Sequence, residues 1–179
     1  MLFFCRNNGY AISTPIREQY VSDGVVSRAK GFGMAGIRVD GNDLLAVHEA
    51  TKAAREYAIK NMEPVLIEAI SYRQAHHSTS DDSFTYRPKE EVIYAQKDFD
   101  PLQRLDTFLL DQGCISDEQL RTLSKNERES VLKALQTSET RPPAKLETMF
   151  KEVLYEMPSS LWKQEHDLLQ HMKKYPENY

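Results

Sequence analysis

A short, mostly apolar run at residues 64–70 is the feature that most constrains how this chain can fold. Its length and composition predict a buried strand, and a polar stretch from Tyr72 to Asp82 follows it directly. Ligand sites in open α/β sheets lie where buried strands end. The arginine and two histidines of the stretch suit an anionic ligand, but a solvated Ser/Asp-rich surface loop would have a similar composition.

A second polar cluster follows the apolar residues 2–5. It reads Arg6-Asn7-Asn8-Gly9-Tyr10, and the Asn and Gly residues favour a tight turn after a strand. Amide and turn carbonyl oxygens are hard ligands that suit Mg²⁺, which is usually completed by phosphate oxygens and water. An arginine beside the turn would pair with such phosphates. Taken alone the turn is a weak signal, but the two clusters together favour a site for a phosphate and a metal.

The first half of the chain has the pattern of an α/β fold. Strands are predicted at residues 2–5, 34–39 and 64–70, and a helix follows the turn Asp40-Gly41-Asn42, with Asn42 or Asp43 as its cap. A strand, a helix and a parallel strand make a right-handed crossover unit. One side of the helix is predicted to be apolar; its residues are Leu44, Leu45, Val47, Ala50, Thr51, Ala54, Tyr57 and Ala58.

The second half is predicted to be helical and charged. The helices are expected at residues 90–96, 101–112, 117–137, 145–156 and 160–174, and Gly113 is a plausible stop. An apolar group near the end is better explained by packing than by chemistry, and Trp162 within it could bury a subunit contact. The group consists of Phe150, Val153, Leu154, Met157, Leu161 and Trp162.

Composition narrows the class of protein. The formal net charge is −4, so no general attraction to nucleic acid or membrane surfaces is expected. No apolar run approaches the roughly 20 residues that a membrane span requires. The two cysteines, Cys5 and Cys114, make no disulfide framework, which fits a reducing compartment.

Two long motifs carry a family resemblance. Residues 3–15 (FFCRNNGYAISTP) and 72–82 (YRQAHHSTSDD), with residues 37–43 and 51–55, resemble the alpha subunits of branched-chain 2-oxo acid dehydrogenases. The likeness returns weakly at residues 155–158 and covers essentially the whole chain. Pyruvate dehydrogenase alpha subunits resemble it less, because they carry His-Gly-His-Ser where this chain has His76-His77-Ser78.

The resemblance implies the C-terminal half of a thiamine-diphosphate-binding α/β fold. Residues 1–90 would form part of that domain, with a regulatory loop at 74–87, and residues 91–179 a helical region packing on it and on partner subunits. The family's cofactor motif begins with Gly-Asp-Gly and ends in Asn-Asn, and only the Asn7-Asn8 end is present. We therefore expect a fragment, a truncated gene model or a short isoform. A second, acidic Mg²⁺ ligand and a potassium site would lie upstream.

The resemblance also assigns roles at the cofactor. It implies that the Asn8 side chain and the Tyr10 carbonyl bind Mg²⁺, and that Arg6 pairs with the diphosphate of thiamine diphosphate. It places Ile12 near the aminopyrimidine. It implies that His77 contacts the diphosphate and assists acyl transfer to lipoamide, which suits a group that titrates near neutral pH.

The resemblance also implies roles for residues of the regulatory loop. Arg73, Asp81, Tyr86 and Arg87 match residues that order the loop, and Ser78 matches a serine that is phosphorylated in mitochondrial members. A second phosphorylated serine of the family would fall at Pro88, so one site only is expected.

The implied activity is oxidative decarboxylation of branched-chain 2-oxo acids with acyl transfer to lipoamide, in branched-chain amino acid catabolism. The implied partners are a beta subunit in a two-alpha, two-beta assembly, a lipoyl-bearing acyltransferase core, and a regulatory kinase and phosphatase, in the mitochondrial matrix. A beta-subunit glutamate completes the active site, so the chain alone is expected to be inactive. Two alternatives stay open: a pyruvate or acetoin dehydrogenase alpha chain, and a truncated, non-catalytic form that only binds the beta subunit or kinase.

Overall fold

Strands and helices alternate up to residue 70, and the rest of the chain is largely helical. The computed structural model describes residues 1–146 and 148–178. The elements are β1 (Leu2–Asn7), β2 (Tyr10–Ala11), β3 (Thr14–Pro15), α1 (Ile16–Gln19), α2 (Ser27–Gly31), β4 (Ala35–Asp40), α3 (Leu44–Asn61), β5 (Val65–Ile70), α4 (Lys89–Asp98), α5 (Pro101–Asp111), α6 (Asp117–Glu139), α7 (Thr148–Lys151) and α8 (Ser159–Lys174).

The three predicted strands form one parallel sheet. Both β1 and β4 pair with β5, which lies in the middle, and α3 connects β4 to β5. The register aligns Asn7 and Asp40 with Ile70, so all three strands end at the same level. The predicted α/β class is confirmed, and the aligned ends bring the two polar clusters to one edge of the sheet.

The core is built from β-branched side chains of the sheet and alanines of α3. Val65, Ile67 and Ala54 have no exposed surface, and Ala58 is buried one helical turn beyond Ala54. Small side chains four residues apart allow a helix to lie close against a sheet. Removing these apolar surfaces from water stabilises the pairing of α3 with the strands.

The helix α3 begins where the sequence predicts, but its buried face is narrower. Asp43 caps it, accepting a hydrogen bond of 3.0 Å from the Ala46 backbone N–H. Leu44, Leu45 and Tyr57 are 55%, 52% and 41% exposed, so only part of the apolar side predicted for the helix is buried. Helical periodicity identifies which side is apolar, but the sheet covers only a strip of it.

The helical second half agrees with the predicted pattern except near residue 150. Only Thr148–Lys151 of the helix predicted at 145–156 is present, with residue 147 outside the described residues. Pro142-Pro143 upstream and Pro158 downstream restrict the backbone on both sides. Gly113 has a φ of +66° after α5 and is the predicted stop.

The apolar group around α7 and α8 is only partly packed. Phe150 is buried, but Val153, Leu154 and Trp162 are 60%, 56% and 56% exposed. Packing within the chain therefore buries only part of the group, and Trp162, which was expected to bury a subunit contact, is among the exposed members.

The chain divides into two compact units, Met1–Thr122 and Leu123–Tyr179. The first holds the sheet, α3, the polar loop after β5, α4 and α5, and the second holds α7 and α8. Among the described residues, no helix has the length and apolar character needed to cross a membrane.

Candidate functional site

The ends of β1, β4 and β5 surround a cavity of about 380 Å³. Arg6 and Asn8 come from the end of β1, and Arg73 comes from the segment after β5. The two clusters are more than sixty residues apart in sequence, but they meet at one site. The parallel register, which aligns the ends of the strands, brings them together. The lining residues are Arg6, Asn8, Gly41, Asn42, Ser71, Tyr72, Arg73, Gln74, Asp100, Pro101 and Leu102.

Two consecutive asparagines hold the turn after β1. Asn7 Oδ1 accepts from the Gly9 N–H at 3.0 Å, and Asn8 Oδ1 accepts from the Tyr10 N–H at 3.1 Å. Gly9 has a φ of +82°, which a side chain would disfavour. Each asparagine thus bonds to the backbone two residues on, which makes a tight turn and presents oxygen atoms close together.

A buried carboxylate fastens the other side of this turn. Glu68 has no exposed surface and lies in the middle of β5. Its Oε1 accepts from Asn7 Nδ2 at 2.7 Å and its Oε2 from Arg38 Nε at 3.1 Å. The backbone N–H groups of Val25 and Val26 donate to the same carboxylate at 2.8 and 2.9 Å. Glu68 therefore joins all three strands to the segment before α2.

The charge of Glu68 is stabilised by these four donors. Burial raises the pKa of its carboxyl, but the backbone donors of Val25 and Val26, with Asn7 and Arg38, outweigh burial and hold the pKa below its usual range. Gly24 fits against this carboxylate, because a Cβ there would lie within 2.8 Å of both Glu68 oxygens. Sequence reasoning missed Glu68, although a lone acidic residue inside a buried strand was the available signal.

Arg73 connects the two polar clusters directly. Its Nη2 donates to the Ile12 carbonyl at 2.8 Å and to the Tyr86 hydroxyl at 2.6 Å. The Tyr86 hydroxyl donates to Asp81 Oδ2 at 2.7 Å, and that oxygen also accepts from the His77 backbone N–H at 2.8 Å. The pKa of the Asp81 carboxyl is lowered, first by the His77 N–H and then by the Tyr86 hydroxyl.

Arg87 organises the start of the loop. It is 3% exposed, and its guanidinium donates to the backbone carbonyls of Arg73, Gln74 and Ala75. It also donates to Ser83 Oγ at 3.1 Å. The four residues assigned to loop order, Arg73, Asp81, Tyr86 and Arg87, are thus joined in two hydrogen-bonded groups that share Arg73.

Glu91 is a second acidic residue whose position the sequence did not reveal. It lies in the first turn of α4, and its Oε1 accepts from both the Tyr10 hydroxyl at 2.8 Å and the Tyr72 hydroxyl at 2.9 Å. Burial, and then the bond to Glu91, raise the pKa of Tyr72 to about 12. Both phenols are therefore neutral donors at physiological pH.

The remaining predicted site residues lie at the margin. His77 and Ser78 are exposed on the loop, and neither is among the described residues that line the cavity. Ile12 is 56% exposed and has a φ of +55°, an uncommon conformation for a β-branched residue. His76, beside His77, accepts at Nδ1 from the Ser83 N–H at 3.0 Å, so it is bound within the loop.

The donor set of the cavity fits a metal bound together with a phosphate. Asn8 supplies a hard amide oxygen, and Arg6 and Arg73 supply positive charge, whereas Tyr10, whose carbonyl is the other expected metal ligand, is not among the described residues that line the cavity. Arg73 Nε is buried and has no hydrogen-bond partner among the described residues, which leaves a donor for a ligand. The described residues contain no cluster of three or more His, Cys, Asp or Glu that could hold a metal by themselves.

Comparison with known proteins agrees with this geometry. The sequence model of the family described as "Dehydrogenase E1 component" matches residues 1–147. The mitochondrial 2-oxoisovalerate dehydrogenase subunit alpha of Homo sapiens is 48% identical over 179 residues, covering 100% of this chain and 40% of that protein. Its counterpart in Caenorhabditis elegans is 44% identical over 180 residues, and subunit alpha 1 of Arabidopsis thaliana is 43% identical over 179. The chain spans about 40% of the length of these relatives.

Proposed function

Because the chain belongs to the dehydrogenase E1 component family, we propose that it acts as part of the alpha subunit of a branched-chain 2-oxo acid dehydrogenase. The activity would be oxidative decarboxylation of branched-chain 2-oxo acids and transfer of the acyl group to lipoamide. The observation that carries the proposal is the meeting of Arg6, Asn8 and Arg73 in one cavity at the carboxyl ends of the strands.

The turn after β1 would hold Mg²⁺ and thiamine diphosphate. The Asn8 side chain and the Tyr10 carbonyl would bind the metal, Arg6 would pair with the diphosphate, and Ile12 would lie near the aminopyrimidine. When bound, thiamine diphosphate supplies the nucleophilic carbon and the electron sink for loss of CO₂. Within the chain, the two Asx hydrogen bonds of the turn hold the backbone ready for the metal without a large rearrangement.

The loop after β5 would serve the second half of the reaction and its regulation. His77 would contact the diphosphate and assist acyl transfer, because the two nitrogens of an imidazole ring can donate and accept a proton. Its backbone is held by Asp81, which in turn is held through Tyr86 to Arg73. Ser78, exposed beside His77, would be the phosphorylation site.

The assembly and location of the protein follow from the same proposal. The partners would be a beta subunit in a two-alpha, two-beta assembly, a lipoyl-bearing acyltransferase core, and a regulatory kinase and phosphatase. The relatives are named as mitochondrial proteins, which supports a location in the mitochondrial matrix. A beta-subunit glutamate would complete the active site.

The direct test is cofactor binding and substrate choice in the full-length subunit assembled with its beta partner. We expect faster decarboxylation of 2-oxoisovalerate than of pyruvate. Asn8→Ala should weaken binding of Mg²⁺ and thiamine diphosphate by about tenfold or more, because it removes a metal ligand. Asn126→Ala, on the exposed face of α6, is the matched control and should leave binding unchanged. Faster turnover of pyruvate would favour the pyruvate dehydrogenase alternative.

A second variant separates the two half-reactions. His77→Ala should leave cofactor affinity and decarboxylation largely intact but slow reductive acylation of a lipoyl domain by about a hundredfold. His48→Ala, on α3 away from the cavity, serves as the control. Full transfer activity in His77→Ala would contradict the role assigned to His77.

A further inference from the structure

The carboxylate of Glu91 holds two tyrosines that follow different strands. Tyr10 lies in the turn after β1 and Tyr72 follows β5, yet both hydroxyls donate to Glu91 Oε1, at 2.8 and 2.9 Å. Glu91 is partly buried, and its helix α4 begins directly after the loop that contains Arg87. One oxygen atom therefore joins β2, the segment after β5 and α4 near the edge of the sheet where the cavity lies.

Two guanidinium groups lie over the faces of these tyrosine rings, Arg87 over both and Arg73 over Tyr10. The Arg87 guanidinium lies 5.9 Å from the Tyr10 ring centre and 5.3 Å from that of Tyr72. Arg73 lies 5.7 Å from the Tyr10 ring centre. Each contact is attractive because the ring face is electron-rich. The Tyr10 side chain is thus fixed at its hydroxyl by a carboxylate and along its ring by cations.

Anchoring the side chain of Tyr10 also constrains its backbone. The Tyr10 N–H is already bound to Asn8 Oδ1 at 3.1 Å, which fixes the peptide on one side of its Cα. The bond from its hydroxyl to Glu91 fixes the other direction from the same Cα. With both held, the Cα of Tyr10, which bears the proposed metal-binding carbonyl, is fixed in its place in the turn.

We propose that Glu91 is a positioning residue that holds Tyr10, and with it the proposed metal-binding carbonyl, in place in the turn, an inference that rests on the proposed function. Tyr72 donates to the same oxygen but has no place in the turn, so its bond stabilises Glu91 without orienting a ligand. A purely structural Glu91 would make the two tyrosines equivalent. A positioning Glu91 makes them different, because only Tyr10 belongs to the metal-binding turn.

The test compares Tyr10→Phe with Tyr72→Phe in the full-length alpha subunit assembled with its beta partner. Each variant removes one hydroxyl donor to the same atom and keeps the ring. Mn²⁺ binding is measured by electron paramagnetic resonance at saturating thiamine diphosphate, and the melting temperature is measured without metal or cofactor. We expect Tyr10→Phe to raise the Mn²⁺ dissociation constant by about tenfold, in the range found for groups that orient metal ligands. Tyr72→Phe, at a residue that lines the cavity but lies outside the turn, should raise it clearly less than Tyr10→Phe does, and both should lower the melting temperature by similar amounts.

Variants of Glu91 itself complete the test. Glu91→Ala should weaken Mn²⁺ binding as much as Tyr10→Phe, whereas Glu91→Gln should restore most of the affinity, since an amide oxygen still accepts both hydroxyls. Equal dissociation constants for Tyr10→Phe and Tyr72→Phe would overturn the positioning role while leaving the proposed function standing. A wild-type assembly that binds no Mn²⁺ with thiamine diphosphate would overturn the proposed function and this inference with it.

Discussion

Arg73 donates a hydrogen bond of 2.8 Å to the backbone carbonyl of Ile12, sixty-one residues earlier in the chain. Ile12 has a φ of +55°, which costs a β-branched residue conformational energy. The bond therefore holds an unfavourable backbone conformation next to the proposed metal turn. The same Nη2 reaches Tyr86, so the turn and the loop after β5 share one guanidinium.

Replacing Arg73 should release both segments at once. In Arg73→Lys the shorter side chain places its ammonium away from the position of Nη2, so we expect both bonds to weaken and the free energy of unfolding to fall by about 2 kcal/mol. Chymotrypsin should cleave faster at Phe84 and Tyr86 within the loop. Arg55→Lys, an exposed change on α3, is the control and should alter stability by less than about 0.5 kcal/mol. An Arg73→Lys loop as resistant as the wild type would contradict this account.

Removing the charge of Glu68 should destabilise the folded protein. Glu68→Gln turns one of two acceptor oxygens into a donor facing N–H groups, so we expect a loss of roughly 3 kcal/mol in the free energy of unfolding. Glu56→Gln, an exposed change on α3, should have almost no effect. Urea titration measures the free energy of unfolding of both variants. Similar midpoints would show that the Glu68 carboxylate does not stabilise the sheet as proposed.

The lowered pKa of Glu68 also predicts a pH dependence. In the unfolded chain Glu68 binds a proton near its ordinary pKa of 4.5, whereas in the folded protein it stays ionised to lower pH. Its contribution is therefore fully present above pH 4.5 and is lost as the pH falls through the folded pKa. Between pH 5 and pH 2 the wild type should lose stability more steeply than Glu68→Gln. Parallel curves for the two proteins would rule out this linkage.

Phosphorylation of Ser78 should switch the enzyme off. A phosphate brings about −1.5 to −2 charges to a position three residues from Asp81, whose Oδ2 holds the His77 N–H and the Tyr86 hydroxyl. Repulsion should break these bonds and disorder the loop, so Ser78→Glu should lose overall activity and be cleaved faster by chymotrypsin. Ser124→Glu on α6 is the control. If the phosphate instead paired with Arg73 or Arg87, the loop would become more protected.

Met62 offers a test of backbone strain away from the site. It ends α3 with a φ of +56° and is 88% exposed, so its side chain contributes little burial. Met62→Gly should raise the free energy of unfolding by about 1 kcal/mol, because glycine adopts this conformation without a Cβ clash. Met62→Ala keeps the Cβ and should bring no such gain. Thermal unfolding of the two variants and the wild type measures these differences, and equal stability of Met62→Gly and Met62→Ala would contradict the prediction.

The sequence alone predicts the elements whose signals are local. The apolar run of β5, the Asn-Gly turn after β1, the Asp43 cap and the stop at Gly113 depend on residues within a few positions of each other. The parallel register then follows from two strands and a connecting helix, and it brings the two polar clusters together. The location of the candidate site was therefore predictable.

Only the tertiary structure decided which polar groups hold that site in place. Glu68 meets Val25 from forty-three residues away, and Glu91 meets Tyr10 from eighty-one, and no local pattern relates such pairs. The same reason explains the partial burial of α3: periodicity marks the apolar side of the helix, but the width of the covering sheet decides how much of it is buried. Side chains that are distant in sequence come within hydrogen-bonding distance only through the tertiary fold, so local sequence patterns do not predict their partners.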